Sequence, residues 1–413
     1  NQYDTEAVRA MVGRAGAEVV ASAAEADVAV FNSCAVTADA EADLRQAVRR
    51  AARERPALRT VVMGCAAALS RPAGTAGSLH DLPTVAAVVA GADVAAVGDA
   101  LGLPAHAATG AVAAQSGARA LLRIQDGCDE HCTFCATTLA RGANRSRPAD
   151  ALVTEAGALA ERHPEIVLTG VHIGSYGADA GSSLGALVER LVRDVPRVRF
   201  RLSSLEATEV DDRLRALLAG DPARVAPYLH APLQSGSDRV LRRMGRHWYT
   251  AARYAAAVER IVDGRGAFGL GADVIAGFPG ESEDDHRATL DLVASLPFTS
   301  LHVFPYSLRP GTPAERLPGR LSGEVVARRA AELRALAARK SAEHAARRAG
   351  TAADVVVVGD GAGRRQGLTE DYLSVSLDEP APPRGARFAA RLEMRDGRLT
   401  AVPIAAVDHP SAQ

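Results

Sequence analysis

Three cysteines in a C-x3-C-x2-C spacing, Cys128, Cys132 and Cys135, are the residues of this chain best suited to chemistry. They follow the apolar run Ala120-Leu121-Leu122-Arg123-Ile124, which reads as a short buried strand. The cysteines therefore occupy a loop leaving its C-terminal end. Three thiolates on one loop can hold three corners of an iron–sulfur cluster, leaving one iron open to a substrate or cofactor. A structural zinc site, completed by a distant Cys or His and closed, is the competing reading. His131 reads as an exposed loop residue, because its neighbour Cys132 already points at the metal. Two further cysteines, Cys34 and Cys65, come directly after the candidate strands at residues 27–31 and 60–63. Either alone could be a buried core cysteine. Both at strand ends favours a shared ligand site, since open α/β sheets bind there.

The elements that must position these residues are legible in the apolar periodicity. Residues 5–15 have a helical pattern, and Leu44, Ala47, Val48 and Ala51 recur at helical spacing between the two strands. Strand, helix, strand in close succession predicts a parallel unit with Cys34 and Cys65 at one sheet edge. An Ala- and Gly-rich stretch, 103–117, reads as a linker. Six candidate strands then alternate with helical patterns: 120–124, 165–168, 198–202, 228–230, 270–275 and 301–304. This repetition predicts a complete or partial (β/α) barrel with its chemistry at the strand C-terminal ends. Those ends carry the three cysteines, Thr169-Gly170, Ser203-Ser204-Leu205-Glu206, Gln234-Ser235-Gly236, Gly277-Phe278-Pro279-Gly280-Glu281 and Pro305-Tyr306-Ser307. Residues 321–348 read as an arginine-rich helix, either a solvated face or a phosphate contact. Beyond Gly350, short strands separated by polar turns predict a small β-barrel.

Length and composition bound the rest. The chain has 413 residues, enough for two or three domains, and a net charge of −1, so any nucleic-acid site must be local. No stretch reads as a membrane span or a signal peptide. Five cysteines without an export signal argue for a reducing, cytoplasmic setting rather than a disulfide framework. The first residue is Asn1, not Met, and the start reads as truncated.

The combination resembles the radical S-adenosylmethionine (SAM) methylthiotransferases. Asn32-Ser33-Cys34-Ala35-Val36-Thr37 and Met63-Gly64-Cys65 are similar to the N-terminal domain of that family. Gln125 through Cys135, Ala140-Arg141-Gly142, Arg145-Ser146-Arg147 and Pro232-Leu233-Gln234-Ser235-Gly236-Ser237 are similar to its radical SAM core. The order of the last strands resembles a TRAM domain, an RNA-binding barrel. The implied fold is α/β: residues 1–102 a parallel α/β methylthiotransferase domain, 118–345 a partial (β/α) barrel, and 350–405 an all-β TRAM barrel.

The resemblance implies that Cys128, Cys132 and Cys135 carry a [4Fe–4S] cluster that cleaves SAM. It also implies that Phe134, Gly170, Ser203, Ser204, Glu206, Gln234 and Gly277 hold SAM, with either packing or adenine contact open for Phe134. Cys34 and Cys65 match two of three ligands of an auxiliary [4Fe–4S] cluster, the third being expected upstream of Asn1. Asn1-Gln2-Tyr3-Asp4-Thr5-Glu6 and the Cys34 context look most like the branch that adds a methylthio group to carbon 2 of threonylcarbamoyladenosine in tRNA. The partners implied are the tRNA anticodon loop and an electron donor of the flavodoxin or ferredoxin kind. Arg141, Arg145 and Arg147 and the segment 239–249, with Trp248 and Tyr249, are candidates for RNA contact. The alternatives are the same chemistry on an aspartate of a small-subunit ribosomal protein, or an RNA-binding iron–sulfur protein without turnover.

Overall fold

A computed structural model describes residues 1–33, 38–361 and 364–404. The chain begins with α1 (Gln2–Arg14), β1 (Val28–Ser33), α2 (Ala38–Glu54), β2 (Arg59–Gly64), α3 (Cys65–Ala68), β3 (Val85–Ala90) and α4 (Val94–Leu101). The three strands form one parallel sheet in the order β1-β2-β3, with Ser33 opposite Gly64. Alternation along β2 sends Val62 toward Leu44 and Val48, and Val61 and Met63 toward Met11 and Val97. Both faces are covered, as a parallel sheet requires.

The middle of the chain contains β4 (Ala120–Arg123), β5 (Gln125–Asp126), α5 (Thr137–Arg141), β6 (Arg145–Ser146), α6 (Ala149–Ala160), β7 (Glu165–Thr169), α7 (Leu184–Asp194) and β8 (Arg199–Leu202). It continues with α8 (Asp212–Ala219), β9 (Tyr228–His230), α9 (Asp238–Arg243), α10 (Ala251–Val262), β10 (Gly269–Ala276), α11 (Glu283–Ser295), β11 (Ser300–Pro305) and α12 (Gly323–Arg348). Parallel sheets β4-β7-β8 and β9-β10-β11 are joined by the bridges Phe200 to Val225 and Ser204 to His230. The result is a partial six-stranded barrel. Ile166, Leu168, Phe200, Leu202, Leu270, Ala272 and Val274 pack outward against the helices in one core. Alternate positions, among them Glu165, Arg199, Arg201, Tyr228, His230 and Asp273, line the interior.

A closed barrel follows, β12 (Ala352–Gly361), β13 (Arg364–Leu368), β14 (Ser374–Leu377), β15 (Arg387–Arg395) and β16 (Arg398–Pro403), in the order β12-β13-β14-β16-β15. Its β13–β14 turn plugs the floor of the larger barrel. Tyr372 stacks on Tyr228 with ring centroids 4.5 Å apart, and Arg201 lies over both rings. Arg201 Nη2 donates to the Thr369 carbonyl at 3.2 Å. Beneath them the fully buried Glu165 accepts from Arg199 at 2.6 Å, from Arg201 at 2.8 Å and from Arg119 at 3.2 Å. Burial alone would raise its pKa, but the surrounding guanidinia hold it well below the usual carboxylate range.

Two expectations need correction, and one strand was not anticipated. The stretch 103–117 is a packed strap rather than a loose linker: Ala107 and Val112 are buried, and Arg14 Nε donates to the Ala107 carbonyl at 3.0 Å. The Ala-rich run at β3 is a third strand, hidden in the sequence because alanine marks neither period. The arginines of α12 are not one solvated or phosphate-binding face. Arg329 is buried against Glu281 at 2.7 Å, and Arg348 against Glu370 and Asp371 at 2.7 and 3.0 Å.

Candidate active site

The cysteine loop leaves the top of β4 through the β5–β6 hairpin. Gly127 makes the turn with φ +75, and a Cβ there would sit 1.8 Å from the Ala143 carbonyl oxygen, so no other residue fits. The Cys128 amide donates to the Gly142 carbonyl at 3.0 Å. At the far end, Thr133 N donates to Met244 O at 2.8 Å and Ala314 N to Thr133 O at 2.8 Å, tying the loop across the barrel mouth. Phe134 packs edge-on to Phe278 at 6.3 Å beside Val240 and Met244. This packing is compatible with either expected role.

All three loop cysteines are half-buried free thiols. Each sulfur faces a donor: Glu130 N at 3.4 Å from Cys128 Sγ, Arg246 Nη1 at 3.4 Å from Cys132 Sγ, and Thr137 N at 3.4 Å from Cys135 Sγ. Donors aimed at sulfur stabilise thiolate, the form a metal cluster needs. Three such sulfurs on one loop fit a cluster with one open corner. As a bare thiol, Cys132 is pushed up to about 11 by burial, which outweighs Arg246; a bound metal displaces that proton.

Behind the loop stands a polar scaffold whose contacts sequence reasoning did not foresee, although it named Glu206, Trp248 and Tyr249 in other roles and left His172 and Glu209 unnamed. Arg246 is buried and ion-paired with Glu206, and its Nε donates to Tyr249 Oη at 2.9 Å. Trp248 Nε1 donates to Glu206 at 2.5 Å, and Tyr249 Oη to the Leu233 carbonyl at 2.8 Å. Tyr249 is thus core, unavailable for base stacking. His172 Nδ1 lies 3.9 Å from Cys128 Sγ and its Nε2 2.8 Å from Glu209. Burial disfavours its charge, yet Cys128 and Glu209 hold it up to about 10. Only the short distance between these residues in space reveals the link, since 44 positions separate Cys128 from His172.

The other expected residues reach the same end of the barrel. Gly170 abuts Gln125, whose Oε1 a Cβ would meet at 2.7 Å. Ser203 and Ser204 follow β8, and Gln234 follows β9 with φ +66. Gly277, φ +77, follows β10 and donates to Glu281 at 2.9 Å. Lower in the barrel, Asp273 Oδ1 is 3.0 Å from His230 Nε2 and 3.3 Å from His302 Nδ1.

Cys65 opens α3 at the C-terminal edge of the first sheet. Arg141, from α5, carries its Nε to Cys65 Sγ at 3.4 Å and its Nη2 to Asp4 at 2.6 Å. The edge holding Cys65 therefore lies against the hairpin that carries the cysteine loop. Cys34 lies outside the described residues. Arg141 is committed to these contacts and Arg147 to Glu155 at 2.7 Å, whereas Arg145 is 60% exposed; of the three, Arg145 keeps a free path to phosphate. No helix among the described residues is long and apolar enough to cross a membrane.

A cysteine triplet at the mouth of a partial parallel barrel defines a radical SAM fold. Residues 122–293 match the Radical SAM superfamily, and residues 1–89 match Uncharacterized protein family UPF0004. A threonylcarbamoyladenosine tRNA methylthiotransferase MtaB of Aquifex aeolicus (strain VF5) is 32% identical over 396 residues, covering 92% of this chain and 94% of that one. A tRNA-2-methylthio-N(6)-dimethylallyladenosine synthase of Jannaschia sp. (strain CCS1) is 33% identical, over 93% and 87% of the two chains. The radical S-adenosylmethionine methyltransferase TsrM of Kitasatospora setae shares the fold, with TM-score 0.56 at 16% identity over 76% of this chain and 72% of that one. The chain belongs to the radical SAM methylthiotransferase family. It is an enzyme, a transferase whose family cofactors are a [4Fe–4S] cluster and SAM.

Proposed function

We propose that this protein adds a methylthio group to carbon 2 of threonylcarbamoyladenosine next to the anticodon in tRNA. The observation that carries this reading is the agreement of four relatives bearing that activity in their names. They are 32%, 33%, 34% and 33% identical over 92%, 77%, 84% and 77% of the chain. In this reading residues 1–102, 118–345 and 350–405 are the methylthiotransferase, radical SAM and TRAM-like domains.

When bound, the cluster and SAM supply the one-electron chemistry needed at an unactivated C–H bond, which no side chain could attack alone. Cys128, Cys132 and Cys135 hold the cluster. Arg246 orients Cys132 and offsets thiolate charge, with Glu206 and Tyr249 fixing its guanidinium. Ser203, Ser204, Gly170, Gln234 and Gly277 line the SAM pocket, where the glycines allow close approach. Glu206, engaged by Arg246 and Trp248, acts as a positioning residue there, and Phe134 anchors the loop. Cys34 and Cys65 are ligands of an auxiliary cluster, and Arg141 couples Cys65 to the barrel. Arg145 and the exposed arginines of β15 and β16 meet RNA phosphates. A flavodoxin- or ferredoxin-like protein supplies the electron, and the reaction takes place with tRNA in the cytoplasm.

Mass spectrometry of tRNA nucleosides from cells with and without this gene tests the reading. Loss of methylthiolated threonylcarbamoyladenosine on deletion is expected. Loss of the dimethylallyl product instead, or no change, would overturn it.

A further inference from the structure

Two cavities flank the seam between the first sheet and the start of the barrel. The larger, about 430 Å3, includes Asp93, Arg123, Asp126, Arg145 and Arg147 in its lining. The smaller, about 200 Å3, lies toward Tyr3, Asp4 and the β7 end at Gly170. Arg123, Gln125, Asp126 and Arg141 form the wall common to both. This throat lies between the edge that holds Cys65 and the hairpin that carries the cysteine loop.

Around the shared wall the arginines outnumber the carboxylates they pair with. Arg123, Arg141 and Arg145 share two carboxylates: Asp4, at 2.6 Å from both Arg123 and Arg141, and Asp126, at 3.5, 3.4 and 3.8 Å from the three. Arg147 is matched by Glu155. Asp93 pairs with none of them and instead caps α4, accepting from Ala96 N at 2.9 Å. Three guanidinia thus share two paired carboxylates. Among the wall residues, Arg141 is saturated, and Gln125 spends its amide on Asp126, Gly127, Asn144, Val171 and His172. Arg123 is different. Its Nη1 alone meets Asp4, its Nε is buried without a partner, and Tyr3 supports the guanidinium face at 5.0 Å. A buried donor without a partner in a native site calls for an explanation.

We propose that Arg123 reads the carboxylate of the substrate's threonyl group. This rests on the function proposed above and names the residue that sets its specificity. Threonylcarbamoyladenosine ends in an α-carboxylate, an anion at neutral pH, and a guanidinium fork is its natural complement. A dimethylallyl group is hydrocarbon and would leave the Arg123 donors unanswered, a cost that discriminates between the two modified adenosines.

The test compares two anticodon stem-loop RNAs, one with threonylcarbamoyladenosine and one with its threonyl carboxylate converted to the neutral methylamide. Affinity is read by fluorescence anisotropy at one fixed salt, and methylthiolation by mass spectrometry, on cluster-loaded protein. Wild type should prefer the carboxylate RNA by about 10- to 100-fold. Arg123→Gln should reduce the preference to about 2-fold or less, and Arg123→Lys should keep part of it. Arg145→Gln should weaken both RNAs alike. Equal treatment of the two RNAs by wild type, a comparison that needs no variant to fold, would overturn the role of Arg123 while leaving the reaction intact. Loss of the preference in Arg145→Gln but not in Arg123→Gln would overturn it as well. No methylthiolation of either RNA would instead defeat the function on which it rests.

Discussion

At the scale of single residues, the three loop sulfurs do not share one environment. Cys132 alone faces a guanidinium, so a cluster bond there would depend on Arg246 as well as on the loop. Cys132→Ala should abolish reconstituted iron–sulfur absorbance and SAM cleavage together, and cleavage at near wild-type rate would refute the assignment. Inside the barrel, burial works against the Asp273 carboxylate, but hydrogen bonds from His230 and His302 bring it down to about 2. The hydrogen bond to Asp273 raises His302 against its burial. A lowered acid contributes stability above its unfolded value, about 4, and loses it as pH falls through the folded value. A raised histidine contributes fully below its unfolded value, about 6.5, and loses that contribution as pH climbs through the folded one. The pair should therefore stabilise most between about pH 4 and 6.5. Melting curves should show His302→Ala costing more at pH 5.5 than at pH 9, and a pH-independent cost would contradict this.

At the scale of elements, the cysteine loop is held by backbone geometry that the sequence signals only in part. The spacing of the cysteines and the strand before them are visible in the sequence, because thiolate ligands and buried strands have fixed patterns. The contact of Gly127 with Ala143 is not, since it depends on how a two-residue hairpin closes. Gly127→Ala should cut iron loading at the loop nearly as far as Cys132→Ala, although all three cysteines remain; iron and sulfide analysis checks this. All six barrel strands were legible, most as apolar runs and β8, Arg199-Phe200-Arg201-Leu202, by its alternation, with polar or glycine-marked ends. The helices α8 and α9 were not, being short and defined by their caps: Asp211 and Ser237 accept from Leu214 N and Val240 N. Glu206 was legible as a strand-end residue, but its role was not. Its partner Arg246 lies 40 residues away and enters the site only through tertiary packing.

At the scale of the whole molecule, the closed C-terminal barrel is also a structural part of the larger one. Its Thr369–Tyr372 turn closes a floor in which Glu165 bridges Arg199 and Arg201, with Arg199 also reaching Asp354 at 3.3 Å. Removing one partner of such a buried set costs roughly 3–5 kcal/mol. Glu165→Gln should lower the thermal midpoint by on the order of 10 °C, and an unchanged midpoint would show that the cluster is not holding the floor. Deleting residues 350–405 should accordingly reduce cluster loading as well as RNA affinity. Arg391→Ala with Arg398→Ala, both exposed, should weaken tRNA binding at fixed salt without moving the midpoint. The sequence foretold the order of the three parts but not this plug, because a turn that packs into another barrel has no period of its own. The central claim is that the Cys128, Cys132 and Cys135 loop drives methylthiolation of threonylcarbamoyladenosine. The most direct measurement supplies cluster-loaded protein with SAM, a reductant, and an anticodon stem-loop carrying that nucleoside, and follows the RNA by mass spectrometry. The account predicts a methylthio group on the modified adenosine with wild type and none with Cys132→Ala. Product formed equally by Cys132→Ala, or SAM cleavage by wild type with no methylthio group ever reaching the RNA, would contradict it.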